Sequence, residues 1–202
     1  MKPKLVVEQK INIFTNKYCV YESDGVGNRG KIVAFAQQKR LAFKEKVRFY
    51  TDESKAQEVF SFRAEKVLDI HGRFFVEDPG GNVIGIFKKD FEKSLLSSTW
   101  HVLDPQGNPR ITISESNVVL AILRRFAGFI PIVGEFIDFL IVLFRYHFVW
   151  QDSASGNLIG KYQKTTLFRD HYLLSMSDEA IQQTDWRVLA AVSVALDALQ
   201  SR

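Results

Sequence analysis

The sequence predicts a mainly β domain, an antiparallel barrel closed around an apolar helix at the C-terminal end. Three observations carry that prediction. A strand–turn–strand unit recurs four times, further alternating runs fill the spaces between the units, and the last stretch switches to an apolar run of helical composition. With 202 residues, 46% hydrophobic and 13% aromatic, the chain has the bulk and composition of one folded domain spanning 1–202.

The repeated unit reads Tyr18-Cys-Val-Tyr-Glu-Ser-Asp-Gly-Val-Gly-Asn28, then Arg73-Phe-Phe-Val-Glu-Asp-Pro-Gly-Gly-Asn82. It returns as Trp100-His-Val-Leu-Asp-Pro-Gln-Gly-Asn108 and as Phe148-Val-Trp-Gln-Asp-Ser-Ala-Ser-Gly-Asn157. Each is an alternating apolar run, an Asp, a Gly-Asn pair and a second alternating run. Pro79 and Pro105 preset φ for the first corner of a type I turn. Gly81 and Gly107 supply the left-handed residue that closes a short hairpin, while Asp78 and Asp104 accept backbone N–H bonds inside it. Four such hairpins predict an antiparallel meander.

Lys4–Glu8, Ile11–Thr15, Val47–Thr51, Glu58–Ala64, Val67–Ile70, Ile111–Glu115 and Phe168–Met176 also show period-2 or β-rich character. So many strands in one domain predict closure, because an open sheet would leave unpaired edges. After Thr184, expected as the N-cap, and Asp185 comes Trp186-Arg-Val-Leu-Ala-Ala-Val-Ser-Val-Ala-Leu-Asp-Ala-Leu199. Its middle is apolar on every side, which calls for burial all round, and it is shorter than the roughly 20 residues of a bilayer span. Alanines and valines keep it slim enough for a barrel interior.

Between the third and fourth units lies a helical insert near 118–145, Val118-Val-Leu-Ala-Ile-Leu-Arg-Arg-Phe-Ala-Gly-Phe-Ile-Pro-Ile-Val-Gly-Glu-Phe-Ile-Asp-Phe-Leu-Ile-Val-Leu-Phe144. Glu135 and Asp138 near its middle would each cost about 2.5–3.5 kcal/mol at a bilayer centre, and Pro131 and Gly134 interrupt a helix there. Three readings remain open: an excursion packed on the barrel with both acids on one solvated helical face, an interfacial hairpin lying on a membrane, or a partner-binding surface. For the membrane reading the candidate contacts are Arg124, Arg125, Phe126, Phe129, Ile130, Phe136, Phe139 and Arg145. Lys88, Lys89, Lys161 and Lys164 are candidate anion contacts, against the simpler reading of solvated surface.

The D-x-x-G-N hairpins followed by a terminal apolar helix resemble the tubby-like superfamily, meaning the LURP-one-related proteins and the phospholipid scramblases. Phe74–Ile113, with its paired Asp-Pro-x-Gly-Asn hairpins and Ser97-Ser-Thr-Trp-His-Val102, is similar to the LURP-one-related pattern. Gly156-Asn-Leu-Ile-Gly-Lys161, through Asp170, to Trp186–Leu199 is similar to the end of a scramblase domain. The resemblance implies a closed barrel of about twelve strands around a hydrophobic helix, and links to phosphoinositide binding, lipid translocation or plant defence. The scramblases' cysteine cluster has no counterpart here, and the acids of Phe168–Glu179 are too dispersed for their proposed calcium segment. Tubby-type phosphoinositide ligands match no motif of this chain.

The composition excludes several classes. Net charge is +4 and no long basic run appears, so nucleic acid is not the expected partner. Cys19 is the only cysteine, which rules out intrachain disulfides and cysteine metal clusters. It reads as a small core residue rather than a reactive thiol. His71, His101, His147 and His171 lack metal-ligand spacing, and neither Asp69 with His71 nor Asp170 with His171 reads as an acid–base pair. No phosphate-cradling loop, dinucleotide fingerprint or nucleophile elbow is present, so neither catalysis nor a cofactor is expected.

The expected function is therefore a non-enzymatic module that binds anionic phospholipid or a membrane protein, with scramblase-like lipid handling and carriage of a small apolar ligand as alternatives. The charged start of the chain lacks a secretory signal, which places the expected location in the cytoplasm, at the inner face of the membrane.

Overall fold

A computed structural model of the chain describes residues 4–11, 15–39, 46–65, 72–90, 98–115, 147–166 and 170–200. The strands in chain order are β1 (Lys4–Ile11), β2 (Thr15–Ser23), β3 (Arg29–Lys39), β4 (Val47–Tyr50), β5 (Glu58–Ala64) and β6 (Arg73–Glu77). They continue with β7 (Val83–Asp90), β8 (Thr99–Leu103), β9 (Pro109–Glu115), β10 (His147–Asp152), β11 (Leu158–Lys164) and β12 (Asp170–Met176). Each pairs antiparallel with its neighbour in sequence, and β1 also pairs with β12, from Lys4 opposite Ser175 to Gln9 opposite Asp170. The wall is thus closed, the solution to unpaired edges that the number of strands predicted.

Two helices follow: α1 (Asp178–Gln183) and α2 (Trp186–Gln200). Ser177 caps α1, its hydroxyl accepting the Ala180 N–H. Thr184 is not the N-cap of α2. It ends α1, and Asp185 does the capping, its carboxylate accepting the Arg187 N–H at 2.9 Å while its carbonyl accepts that of Val188. The Asp185 carboxylate stands one residue closer to the first turn and also holds the Arg187 guanidinium at 2.6 Å.

Every residue of α2 from Val188 to Leu196 is buried within the ring of strands. Burying each Val or Leu of such a helix stabilises by roughly 1.5–3 kcal/mol, which explains why a run without a polar face ends inside a barrel. Its one buried hydroxyl, Ser193, donates to the Leu189 carbonyl at 2.8 Å, and the Tyr162 hydroxyl reaches in from the wall to the Ser193 carbonyl at 3.2 Å. Close approach is set by Gly85, where a Cβ would stand 2.6 Å from Val188 Cγ2. Phenylalanines line the wall from β4 to β7, with Phe49 stacked on Phe60 at 4.3 Å and Phe74 on Phe87 at 4.8 Å.

The repeated hairpins have the predicted turn chemistry. In the β8–β9 turn Gly107 has φ +90°, its N–H donates to the Asp104 carbonyl, and the Asp104 carboxylate accepts the Gln106 and Asn108 N–H groups. The asparagine adds a clamp: Asn108 Nδ2 donates to the Asp104 carboxylate, as Asn82 does to Asp78 and Asn28 to Asp24. Backbone and side-chain donors gathered on Asp24, Asp78 and Asp104 hold those carboxyls below their ordinary pKa. Val67–Ile70 and the 118–145 insert lie outside the described residues. The Ile11–Thr15 run spans the end of β1 and the start of β2.

Candidate anion-binding end and a polar cluster on the outer face

Antiparallel order gives the barrel two different ends. The short turns at 51–57, 78–82, 104–108 and 153–157 share one end, where the chain also enters α1 and where the β2–β3 ribbon folds back over the outer face. At the other end β1, β3, β5, β7, β9 and β11 finish and the strands that follow them begin. β7 and β11 run in the same direction, so Lys89 and Lys164 both arrive at this second end.

Alternation decides which way each lysine points. Gly85 and Phe87 face the helix, so Lys89 faces inward and Lys88 outward. Tyr162 reaches the helix, so Lys164 faces inward and Lys161, which is exposed, does not. Lys89 Nζ lies 5.7 Å from the Trp100 ring centre and Lys164 Nζ 5.8 Å from that of Tyr172, both rings being part of the core. Each ammonium lies over the face of its aromatic ring, an attraction worth about 0.5–1 kcal/mol at exposed sites and more when desolvated. Gln9 and Tyr18, joined by a 3.2 Å hydrogen bond, and the buried Glu115 face the same interior. Lys89 and Lys164 against Glu115 leave this mouth with more positive than negative charge among these inward groups, a balance that can attract an anionic group.

The other candidates are distributed differently. Arg124, Arg125, Phe126, Phe129, Ile130, Phe136, Phe139 and Arg145 lie outside the described residues, as do Asp69 and His71. The chain nevertheless leaves β9 at Glu115 and returns to β10 at His147, both at the end that carries Lys89 and Lys164. His101 Nε2 lies 3.0 Å from Asp90 on the outer face and its Nδ1 3.3 Å from Thr112 Oγ1. Among the described residues no group of three or more His, Cys, Asp or Glu side chains could hold a metal ion, and no helix is long and apolar enough to cross a membrane.

Sequence reasoning missed a second polar cluster on the outside of the wall. Val7 and Tyr172 face the core, so their neighbours Glu8 and His171 face outward, yet Glu8 is only 5% exposed. Arg29 Nε contacts Glu8 Oε1 at 2.5 Å, and His171 Nε2 lies 3.5 Å from the same oxygen. His171 Nδ1 meets Thr165 Oγ1 in a short hydrogen bond. Burial holds the His171 pKa below its ordinary value, with Glu8 pulling it up and Arg29 pushing it down. Cys19 pairs with Glu8 in register and is buried on this outer face, not against the helix. Burial pushes its thiol up, and its hydrogen-bond partner Tyr21 is pushed up to about 12, first by burial. The available signal was a charge inside an apolar run, Leu5-Val-Val-Glu8, and it shows only once β1 is known to pair with β12.

Glu77 forms a comparable site with Lys46 and Arg63, each at 2.7 Å. Burial alone would raise its pKa, but the two hydrogen-bonded cations outweigh it and the net shift is downward.

A family model described as LURP-one-related matches residues 32–197. A search of the curated proteins returned no match.

Proposed function

The chain belongs to the LURP-one-related family of the tubby-like superfamily, and from that premise we propose that it is a non-enzymatic binding module for an anionic membrane surface, including the acidic juxtamembrane part of a membrane protein. The observation that carries this reading is that Lys89 and Lys164, set on core aromatics, stand at the barrel end from which the Phe- and Ile-rich, Arg-flanked 116–146 connection departs. Anionic lipid contributes about 1 kcal/mol per lysine or arginine near its surface, and apolar side chains add area-dependent burial. Binding acts at the cytoplasmic leaflet, where the surface potential is negative.

Flotation on phosphatidylcholine vesicles with and without phosphatidylserine tests it. The protein is expected to float with the anionic vesicles alone. The K89Q/K164Q variant and a deletion of residues 126–144 should each weaken flotation while keeping the native circular-dichroism spectrum. Equal recovery on neutral and anionic vesicles, or none on either, defeats the membrane reading. A fluorescent-lipid translocation assay on the same vesicles separates binding from scramblase-like lipid handling.

A further inference from the structure

We propose that the tip of the β2–β3 ribbon is a proton-sensitive strap, clasped over the outer face of the barrel by Arg29 on Glu8 and released when His171 takes that same carboxylate oxygen. The tip, residues 24–28, is a stiff unit: Gly25 and Gly27 have φ of +94° and +99°, and the Asp24 carboxylate accepts the Val26 and Asn28 N–H groups. Register shifts at Val20/Tyr21 and Tyr21/Ser23 bend the ribbon just before it. Beyond the bend the tip lies back across β1 towards β12. A Cβ on Gly27 would sit 3.9 Å from Thr165 Cγ2, and one on Gly25 would run into the Lys4 side chain.

Apart from those packing contacts, the clasp is Arg29, whose Nε meets Glu8 Oε1 while its guanidinium lies 5.8 Å from the Tyr21 ring centre. His171 addresses the same Glu8 oxygen from the opposite strand. A neutral imidazole with its hydrogen on Nε2 donates to Glu8 and accepts the Thr165 hydroxyl at Nδ1, so it meets both partners without a charge. Once protonated it donates from both nitrogens and brings a positive charge to the oxygen that Arg29 holds. Nδ1–H can donate to Thr165 Oγ1, whose own hydrogen turns to the His171 carbonyl 3.2 Å away, and Nε2–H can donate to Glu8.

Two cations then lie against one carboxylate oxygen and repel each other. The Arg29 side chain is 46% exposed and has water as an alternative partner, whereas that of His171, 11% exposed, has little. Arg29 is therefore the one to leave, and the tip loses its charged attachment. The other charged groups near this face, among the described residues, include Lys4, whose side chain meets the tip at Gly25, Asp24 in the tip, Lys10 on β1, the exposed Lys161 on β11 and Lys17 on β2, the last paired with Glu53 at 2.9 Å. Burial and Arg29 keep His171 neutral at pH 7, which puts the release on the acid side.

Amide hydrogen exchange of the full chain at about pH 7.5 and about pH 5.5, corrected for the chemical exchange rate, reads the strap directly. Protection of residues 21–32 is expected to fall about tenfold on acidification in the wild type, while the β8–β9 hairpin stays within about twofold. H171Q, which cannot be protonated in this range, should remove the difference, and R29Q should lower protection at both pH values. Unchanged protection of 21–32 in the wild type, an equal fall in β8–β9, or an H171Q variant with the same pH response overturns the proposal. Should H171Q lose the native fold, H171N serves in its place, and the wild-type comparison decides by itself.

Discussion

The two faces of the barrel wall are held by different physics. The inner face meets α2 through apolar contact, with Gly85 and Val188 at the limit of approach and Ser193 satisfied within its own helix. The outer face buries carboxylates: Glu8 with Arg29 and His171, Glu77 with Lys46 and Arg63. The difference follows from solvent. Around the buried 188–196 stretch of α2 nothing can hydrate a charge, and Glu115, Lys89 and Lys164 face inward only near the mouth, whereas outside a long basic side chain can cover a carboxylate and keep part of its own surface wet. Packing should therefore dominate the stability of the inner face, and pH its modulation on the outer one.

The largest expected effect comes from breaking the dry interior. Ala191→Asp places an unpaired carboxylate on a fully buried helix position, and a loss of more than about 4 kcal/mol, seen as failure to recover a cooperative urea transition, is expected. Next, Gly85→Ala should cost about 1–3 kcal/mol because the β-branched Val188 cannot yield, and a double-mutant cycle with Val188→Ala should recover part of it. No coupling between the two would mean that the helix is free to shift.

At the rim, Gly107→Ala has open space around the new methyl, so its cost, about 1–2 kcal/mol, is that of the positive φ alone. On the outer face Glu77→Gln should cost about 1 kcal/mol at neutral pH, discounted because the Lys46 and Arg63 side chains are 35% and 43% exposed. The folded-state pKa of Glu77 is depressed, so its contribution is present above the ordinary value near 4.5 and lost as pH falls through the folded value. The wild type and E77Q should therefore converge in acid. A gap that persists there would assign the Glu77 effect to packing.

The architecture was readable because its signals are local. Asp104-Pro-Gln-Gly-Asn108 specifies a turn through residues within reach of each other, and the all-round apolar run 188–196 leaves the helix no stable place but an interior. What was not readable depends on register between distant strands. Lys88 and Lys89 look alike in sequence, and only alternation against Phe87 separates an outward from an inward lysine. The Glu8, Arg29 and His171 side chains come from three strands, brought together by the closing pair and a folded-back ribbon tip. Thr184 has the residue type of a cap, but the adjacent Asp185 is nearer the first turn and its carboxylate accepts two kinds of donor.

The seam between Lys4–Gln9 and Asp170–Ser175 has a kinetic consequence. Neighbouring strands can zip up as they become available, most of them across a short connection, but the seam joins residues near opposite ends of the chain and gains nothing until every intervening hairpin has its twist. Loop-closure entropy therefore falls mostly on one late event. Until that event α2 has no complete cylinder to occupy, and its aliphatic surface is exposed to water. The lifetime of the unsealed intermediate, more than the stability of the finished molecule, sets how often one copy's helix meets another copy's open staves.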